Sequence, residues 1–131
     1  MVPSLIVIGT STGGFDALQI LLNGLPKEFS VPVIIVQHRG KEPDDLLRRL
    51  LQDDCALPVS EPEDKEAIVA GHVYIAPADY HLLVEPGSLE LSTEGPVNNA
   101  RPSVDVLFES AAEAYRNAVV GVVLTGANQD G

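Results

Sequence analysis

Four apolar runs constrain this chain most: Leu5-Ile6-Val7-Ile8, Val31-Pro32-Val33-Ile34-Ile35-Val36, Val73-Tyr74-Ile75 and Val119 to Leu124. They are too short for helices and do not alternate with polar residues. A strand loses its alternation when both of its faces are buried, which is the condition of a parallel sheet covered by helices. Helical spacing fills the intervals between the runs. Phe15, Leu18, Leu22 and Leu25 share a face, and Gly24 with Pro26 closes that helix. Pro43 opens a second helix carrying Leu46, Leu47, Leu50 and Leu51. Ser103 caps a third, whose Val104, Leu107, Phe108, Ala111 and Tyr115 align. Leu82-Leu83-Val84 and Leu89-Glu90-Leu91 flank Glu85-Pro86-Gly87-Ser88, with Pro and Gly where a type II turn wants them. Residues 57–72 read as a polar, turn-rich loop. The expected fold is α/β, a three-layer Rossmann-like, mostly parallel sheet with helices on both faces and an attached antiparallel hairpin.

With 131 residues, 45% of them hydrophobic and 21% charged, the chain falls in the range of one ordinary globular domain. No stretch is apolar for long enough to span a membrane, and the first residues lack the basic and apolar regions of a signal peptide. A formal charge of −11 argues against nucleic acid or an anionic membrane as partner. The single cysteine, Cys55, forms no internal disulfide, suits the cytoplasm, and reads as an inert thiol beside Asp53 and Asp54. No His or Cys spacing suggests a metal site, and no cofactor motif is complete.

Chemistry in open α/β sheets collects at the carboxyl ends of the strands. The first run passes directly into Gly9-Thr10-Ser11-Thr12-Gly13-Gly14, a Gly-x-Ser-x-Gly turn between strand and helix. That is the form of a nucleophile elbow, in which Gly9 and Gly13 would relieve crowding or permit positive φ. Ser11 ends the first strand, His38 follows the second, and Asp130 follows the last. A serine hydroxyl needs a base to become nucleophilic; imidazole suits the task, and a carboxylate fixes its tautomer. Each residue also has a plainer reading: Ser11 as a phosphate-loop hydroxyl, His38 as a buried structural histidine, Asp130 as a turn cap. His72 is expected at the surface and His81 at the rim of the site.

Five separated motifs occur in one order: Ile8-Gly9-Thr10-Ser11-Thr12-Gly13-Gly14, Gln37-His38, Tyr74-Ile75-Ala76-Pro77, Arg101-Pro102-Ser103-Val104-Asp105-Val106-Leu107-Phe108, and Leu124-Thr125-Gly126 with Asp130-Gly131. Together they resemble the catalytic domain of the chemotaxis receptor methylesterase family, CheB. The resemblance implies a cytoplasmic serine hydrolase that demethylates glutamyl methyl esters, and deamidates some glutamines, of methyl-accepting chemotaxis receptors. It places Ser11 as nucleophile, His38 as base and Asp130 as orienting acid. Thr12 would supply an oxyanion N–H, Ala127 would stand where the family usually has a methionine, and Arg101 would position the substrate or hold its own loop. It further implies a methylesterase-like domain over residues 1–131, without a receiver domain and lacking C-terminal elements, so that a chain ending there would be weakly active. Two other readings stay open: an inactive receptor-binding module of the same fold, and a nucleotide or phosphate sensor using residues 9–14.

Overall fold

The computed structural model describes residues 3–40 and 44–124. Its core is a five-stranded, wholly parallel sheet in the order β3-β4-β2-β1-β7, from β1 (Leu5–Thr10), β2 (Val33–Gln37), β3 (Val59–Ser60), β4 (Val73–Ile75) and β7 (Val119–Leu124). The remaining strands, β5 (His81–Glu85) and β6 (Ser88–Ser92), form an antiparallel hairpin that is a sheet of its own.

The pleat sorts the apolar runs onto two faces. Ile8, Val33, Ile35, Val73 and Ile75 pack with Leu18 and Leu22 of α1 (Phe15–Asn23) and Leu51 of α2 (Leu46–Asp53). Leu5, Val7, Ile34, Val36 and Tyr74 face Val104, Leu107 and Ala111 of α3 (Val104–Tyr115), together with Leu82, Val84 and Leu89 of the hairpin. Each fully buried aliphatic side chain contributes about 1.5–3 kcal/mol, so both layers are needed. The expected three-layer α/β architecture is what folds.

Local chemistry explains the element ends. The Gly24 N–H reaches back to the carbonyls of Ile20 and Leu21 (both 3.2 Å) and stops α1. Ser103 Oγ accepts the Val106 N–H at 3.3 Å and starts α3. Gly87 at φ +80° supplies the left-handed position that the Glu85–Ser88 turn requires. The hairpin is fastened to α3 by side chains: Ser110 Oγ accepts the Val84 N–H (2.9 Å) and the Tyr115 hydroxyl accepts the Gly87 N–H (3.1 Å).

Three expectations need correction. The 57–72 segment is not all loop, because Gln52 Oε1 accepts the Val59 N–H (2.8 Å) and holds the two residues of β3 against β4. Val119 to Leu124 is not buried on both faces: β7 pairs only with β1 among the described strands, and Val120 and Val123 are each 45% exposed. α2 begins at Leu46, where the Asp44 carboxylate accepts the first N–H at 3.0 Å; Pro43 lies outside the described residues.

Candidate active site

β1 is flanked by β2 on one side and β7 on the other, and the chain leaves it toward one face and returns over the other. Such a switch in strand order opens a crevice at the carboxyl ends of the strands. Ser11 stands at that point. Its backbone is still extended (φ −82°, ψ 175°), and a single 3-10 turn over Thr12–Gly14 then leads into α1. The turn is closed by the Gly14 N–H on the Ser11 carbonyl at 2.9 Å.

The neighbouring strand delivers His38. Thr10 pairs with Gln37, and the ladder continues one step further, with the His38 N–H on the Thr10 carbonyl at 2.9 Å. Ser11 and His38 therefore each follow one of two directly paired residues. Alternation sends Gly9 to the α3 face, where Val104 lies against it, and Thr10 to the face of α1 and α2. One step on, Ser11 follows β1 and His38 follows β2. Two residues far apart in sequence thus stand just past neighbouring strands at the same edge of the sheet, Ser11 buried and His38 half-buried.

The two glycines of the turn are not equivalent. A Cβ on Gly9 would sit well inside contact distance of Val104 Cγ1 and 2.9 Å from Cγ2, whereas one on Gly13 meets no described atom within 4 Å. Neither has positive φ. Gly9 is there so that α3 can approach β1, and the space it leaves is filled by Val104. A phosphate-cradling glycine would instead open toward a ligand.

Two residues to which the sequence reading gave no role brace the site. Gln37, 3% exposed, donates from Nε2 to the carbonyls of Ser11 (2.8 Å) and His38 (3.3 Å). Arg39 donates from Nη1 to Glu61 Oε2 (2.8 Å) and the Ala76 carbonyl (3.4 Å), and from Nη2 to the Asp44 carbonyl (3.1 Å). It ties the exit of β2 to that of β4. The available signal was a glutamine in a buried position just where an apolar run stops. Beside His38 a recess of about 360 Å³ opens between Phe15, Leu46, Leu47 and Leu50, with Gln37 also on its wall.

Arg101 bonds both the segment between β4 and β5 and its own loop. Nε and Nη2 both donate to Asp79 Oδ1 (3.0 and 2.8 Å), and Nη1 to the carbonyls of Thr93 (2.9 Å) and Glu94 (3.2 Å). His81 does not line the rim as expected. It is 1% exposed, with Nε2 donating to the Gly95 carbonyl at 2.9 Å, because the 93–102 segment closes over it. His72 is half-buried rather than at the surface, stacked on Tyr74 (centroids 4.8 Å apart) and 3.3 Å from Ser60 Oγ. Cys55 is buried, and burial pushes its thiol pKa up, away from a reactive thiolate. Among the described residues no three His, Cys, Asp or Glu side chains converge as a metal site would require, and no helix is long and apolar enough to cross a membrane. Asp130 and Ala127 lie outside the described residues.

Comparison with known proteins identifies relatives of this fold. A family model described as CheB methylesterase matches residues 6–131. A Leptospira interrogans protein, provisionally named protein-glutamate methylesterase/protein-glutamine glutaminase, is 47% identical over 96% of this chain and 66% of its own length. A Trichodesmium erythraeum protein-glutamate methylesterase/protein-glutamine glutaminase is 44% identical over 97% of this chain and 37% of its own length. The chain thus spans about two thirds of the first relative and little more than a third of the second. The crystal structure of the Thermotoga maritima CheB methylesterase catalytic domain superposes with a TM-score of 0.88 at 38% identity, covering 100% of this chain and 71% of that one. The family match, the relatives and the structural likeness coincide, and the chain belongs to the CheB methylesterase family.

Proposed function

We propose that this protein hydrolyses glutamyl methyl esters, and deamidates glutamines, on methyl-accepting chemotaxis receptors in the cytoplasm. The observation that carries the reading is the placement of Ser11 and His38 one residue beyond a directly paired Thr10 and Gln37, in a chain of this family.

In this scheme Ser11 Oγ attacks the ester carbonyl while its proton passes to the His38 imidazole. The Thr12 N–H, at the start of the helical turn, stabilises the tetrahedral oxyanion. The carbonyl re-forms, the bond to the methoxy oxygen breaks, and His38 returns the proton so that methanol leaves. A glutamyl ester of Ser11 remains. Water, deprotonated by the same imidazole, then releases glutamate and the free serine. For a glutamine substrate the leaving molecule is ammonia. Asp130 is assigned to orient His38, and Ala127 to line the site close to the reacting carbonyl. The hydrogen bonds of Arg101 to Asp79 and the 93–94 carbonyls favour a loop-holding role over direct placement of a receptor carboxylate.

Methanol release from methylated receptor tests the scheme. Ser11→Ala and His38→Ala are each expected to lower the rate by at least about a thousandfold, as for other acyl-transfer triads. Rates equal to those of the unsubstituted protein reject it.

A further inference from the structure

The Ser11 carbonyl carries three hydrogen bonds: from the Gly14 N–H at 2.9 Å, from Thr10 Oγ1 at 3.1 Å and from Gln37 Nε2 at 2.8 Å. Two of those donors are side chains of one paired rung, Thr10 and Gln37, on the sheet face toward α1 and α2. The amide of Gln37 is oriented without ambiguity. Nε2 faces two carbonyl oxygens, and rotating the amide would set Oε1 against both. In a trans peptide the C=O and the following N–H point in opposite directions across one rigid plane, and the only cis bond among the described residues is Arg101–Pro102. Holding the Ser11 oxygen toward α1 and α2 therefore turns the Thr12 N–H away from those helices.

We infer that Gln37 is a positioning residue for the oxyanion site, acting through the Ser11–Thr12 peptide plane. It touches no reacting atom. Its Nε2 grips one end of a rigid plane whose other end carries the donor that meets the developing negative charge. The same amide bonds the His38 carbonyl, so it also fixes the separation of the nucleophile turn from the base. This rests on the hydrolase reading above, but not on the identity of the receptor.

The test is the rate of Ser11 labelling by a fluorophosphonate, which needs the nucleophile, the base and an oxyanion donor but no receptor. Gln37→Met removes the donor at nearly constant volume and is expected to slow labelling by about tenfold to a hundredfold. That lies below the hundredfold to thousandfold typical of deleting an oxyanion donor outright, because two grips on the carbonyl remain. Gln37→Glu adds a readout that a merely structural role would not move. As a carboxylate it repels both carbonyls; protonated, it donates again. Its rate relative to the unsubstituted protein should therefore rise as pH falls toward the carboxyl range, which burial shifts above the ordinary ~4.3. Thermal melting confirms that each variant is folded at the assay temperature. Labelling of Gln37→Met at the unsubstituted rate, or a Gln37→Glu deficit that does not change with pH, overturns the inference. If the unsubstituted protein is not labelled at Ser11, the hydrolase reading falls and takes this inference with it. Labelling as expected but no methanol release from any receptor removes only the receptor assignment.

Discussion

Replacing Gly9 with alanine should be among the most damaging single-methyl changes in this protein. The new Cβ would press into Val104 Cγ1 and lie 2.9 Å from Cγ2 and 3.1 Å from Cβ. Val104 cannot swing aside: a β-branched side chain in a helix has one strongly preferred rotamer, and this one is buried in the first turn of α3 behind the Ser103 cap. Gly9 cannot retreat either, since β1 is hydrogen-bonded to β2 and β7 on its two sides. Overpacking of this kind costs about 1–3 kcal/mol, and rigid neighbours on every side place Gly9→Ala at about 2–3. Val104→Ala alone removes two methyl-sized groups at ~0.8 kcal/mol each, plus the void they leave, for about 2 kcal/mol. If the two sites acted independently, the double variant would lose about 4–5 kcal/mol. Because the added methyl occupies part of the void, a loss of only about 2 kcal/mol is expected, a coupling of roughly 2–3. Urea unfolding followed by circular dichroism measures all four corners of the cycle. A Gly9→Ala loss under about 0.5 kcal/mol, or strict additivity, would refute the claim that this glycine exists to admit α3.

Further expectations concern polar side chains. The Tyr74 hydroxyl takes the Val69 N–H at 2.9 Å and donates to the Ala67 carbonyl at 3.2 Å, so Tyr74→Phe should cost about 1–3 kcal/mol by leaving that N–H unpaired. Burial raises the Tyr74 pKa in the folded state; its stabilisation is therefore complete below the unfolded value near 10 and is lost as pH rises through the folded one. Denaturation midpoints from pH 8 upward should fall less steeply for Tyr74→Phe, and equal slopes would count against the assignment. Arg101→Ala and Asp79→Ala should lower kcat/KM for methyl-ester hydrolysis by similar factors, with the double variant no worse than either; multiplicative losses would mean that Arg101 meets the substrate directly.

The parallel sheet could be read from the sequence because a strand covered on both faces leaves an unbroken aliphatic signature, and the intervening helices each present one apolar stripe. What could not be read is what depends on neighbours. Val119 to Leu124 has the composition of a central strand, yet nothing in valine and leucine says which strand will flank it. β3 exists through a hydrogen bond from Val59 to Gln52, a contact between a loop and a helix side chain that no local pattern announces. Gly9 and Gly13 look alike in the motif, and only the approach of α3 separates a glycine that is sterically required from one with open space around it. His81 next to a hairpin read as a rim residue until the loop through Gly95 covered it. That Ser11 and His38 follow neighbouring strands at one sheet edge was legible, because the carboxyl ends of parallel strands are the common outlet of this architecture. The bracing roles of Gln37 and Arg39 were not, since their partners are main-chain carbonyls and an acidic side chain in other segments.

The placement of Ser11 and His38 one residue beyond paired strand ends is a matter of counting, and that divides the chain into tolerant and intolerant stretches. Insertions between Asn23 and Pro32 lengthen a surface connection without altering how many residues separate either partner from its strand, and such variation is inexpensive. One amino acid gained or lost inside Leu5–Thr10 or Val33–Gln37 would turn one partner to the opposite side of the sheet. Directed evolution of this domain should therefore find freedom of length in that connection and almost none within those eleven positions.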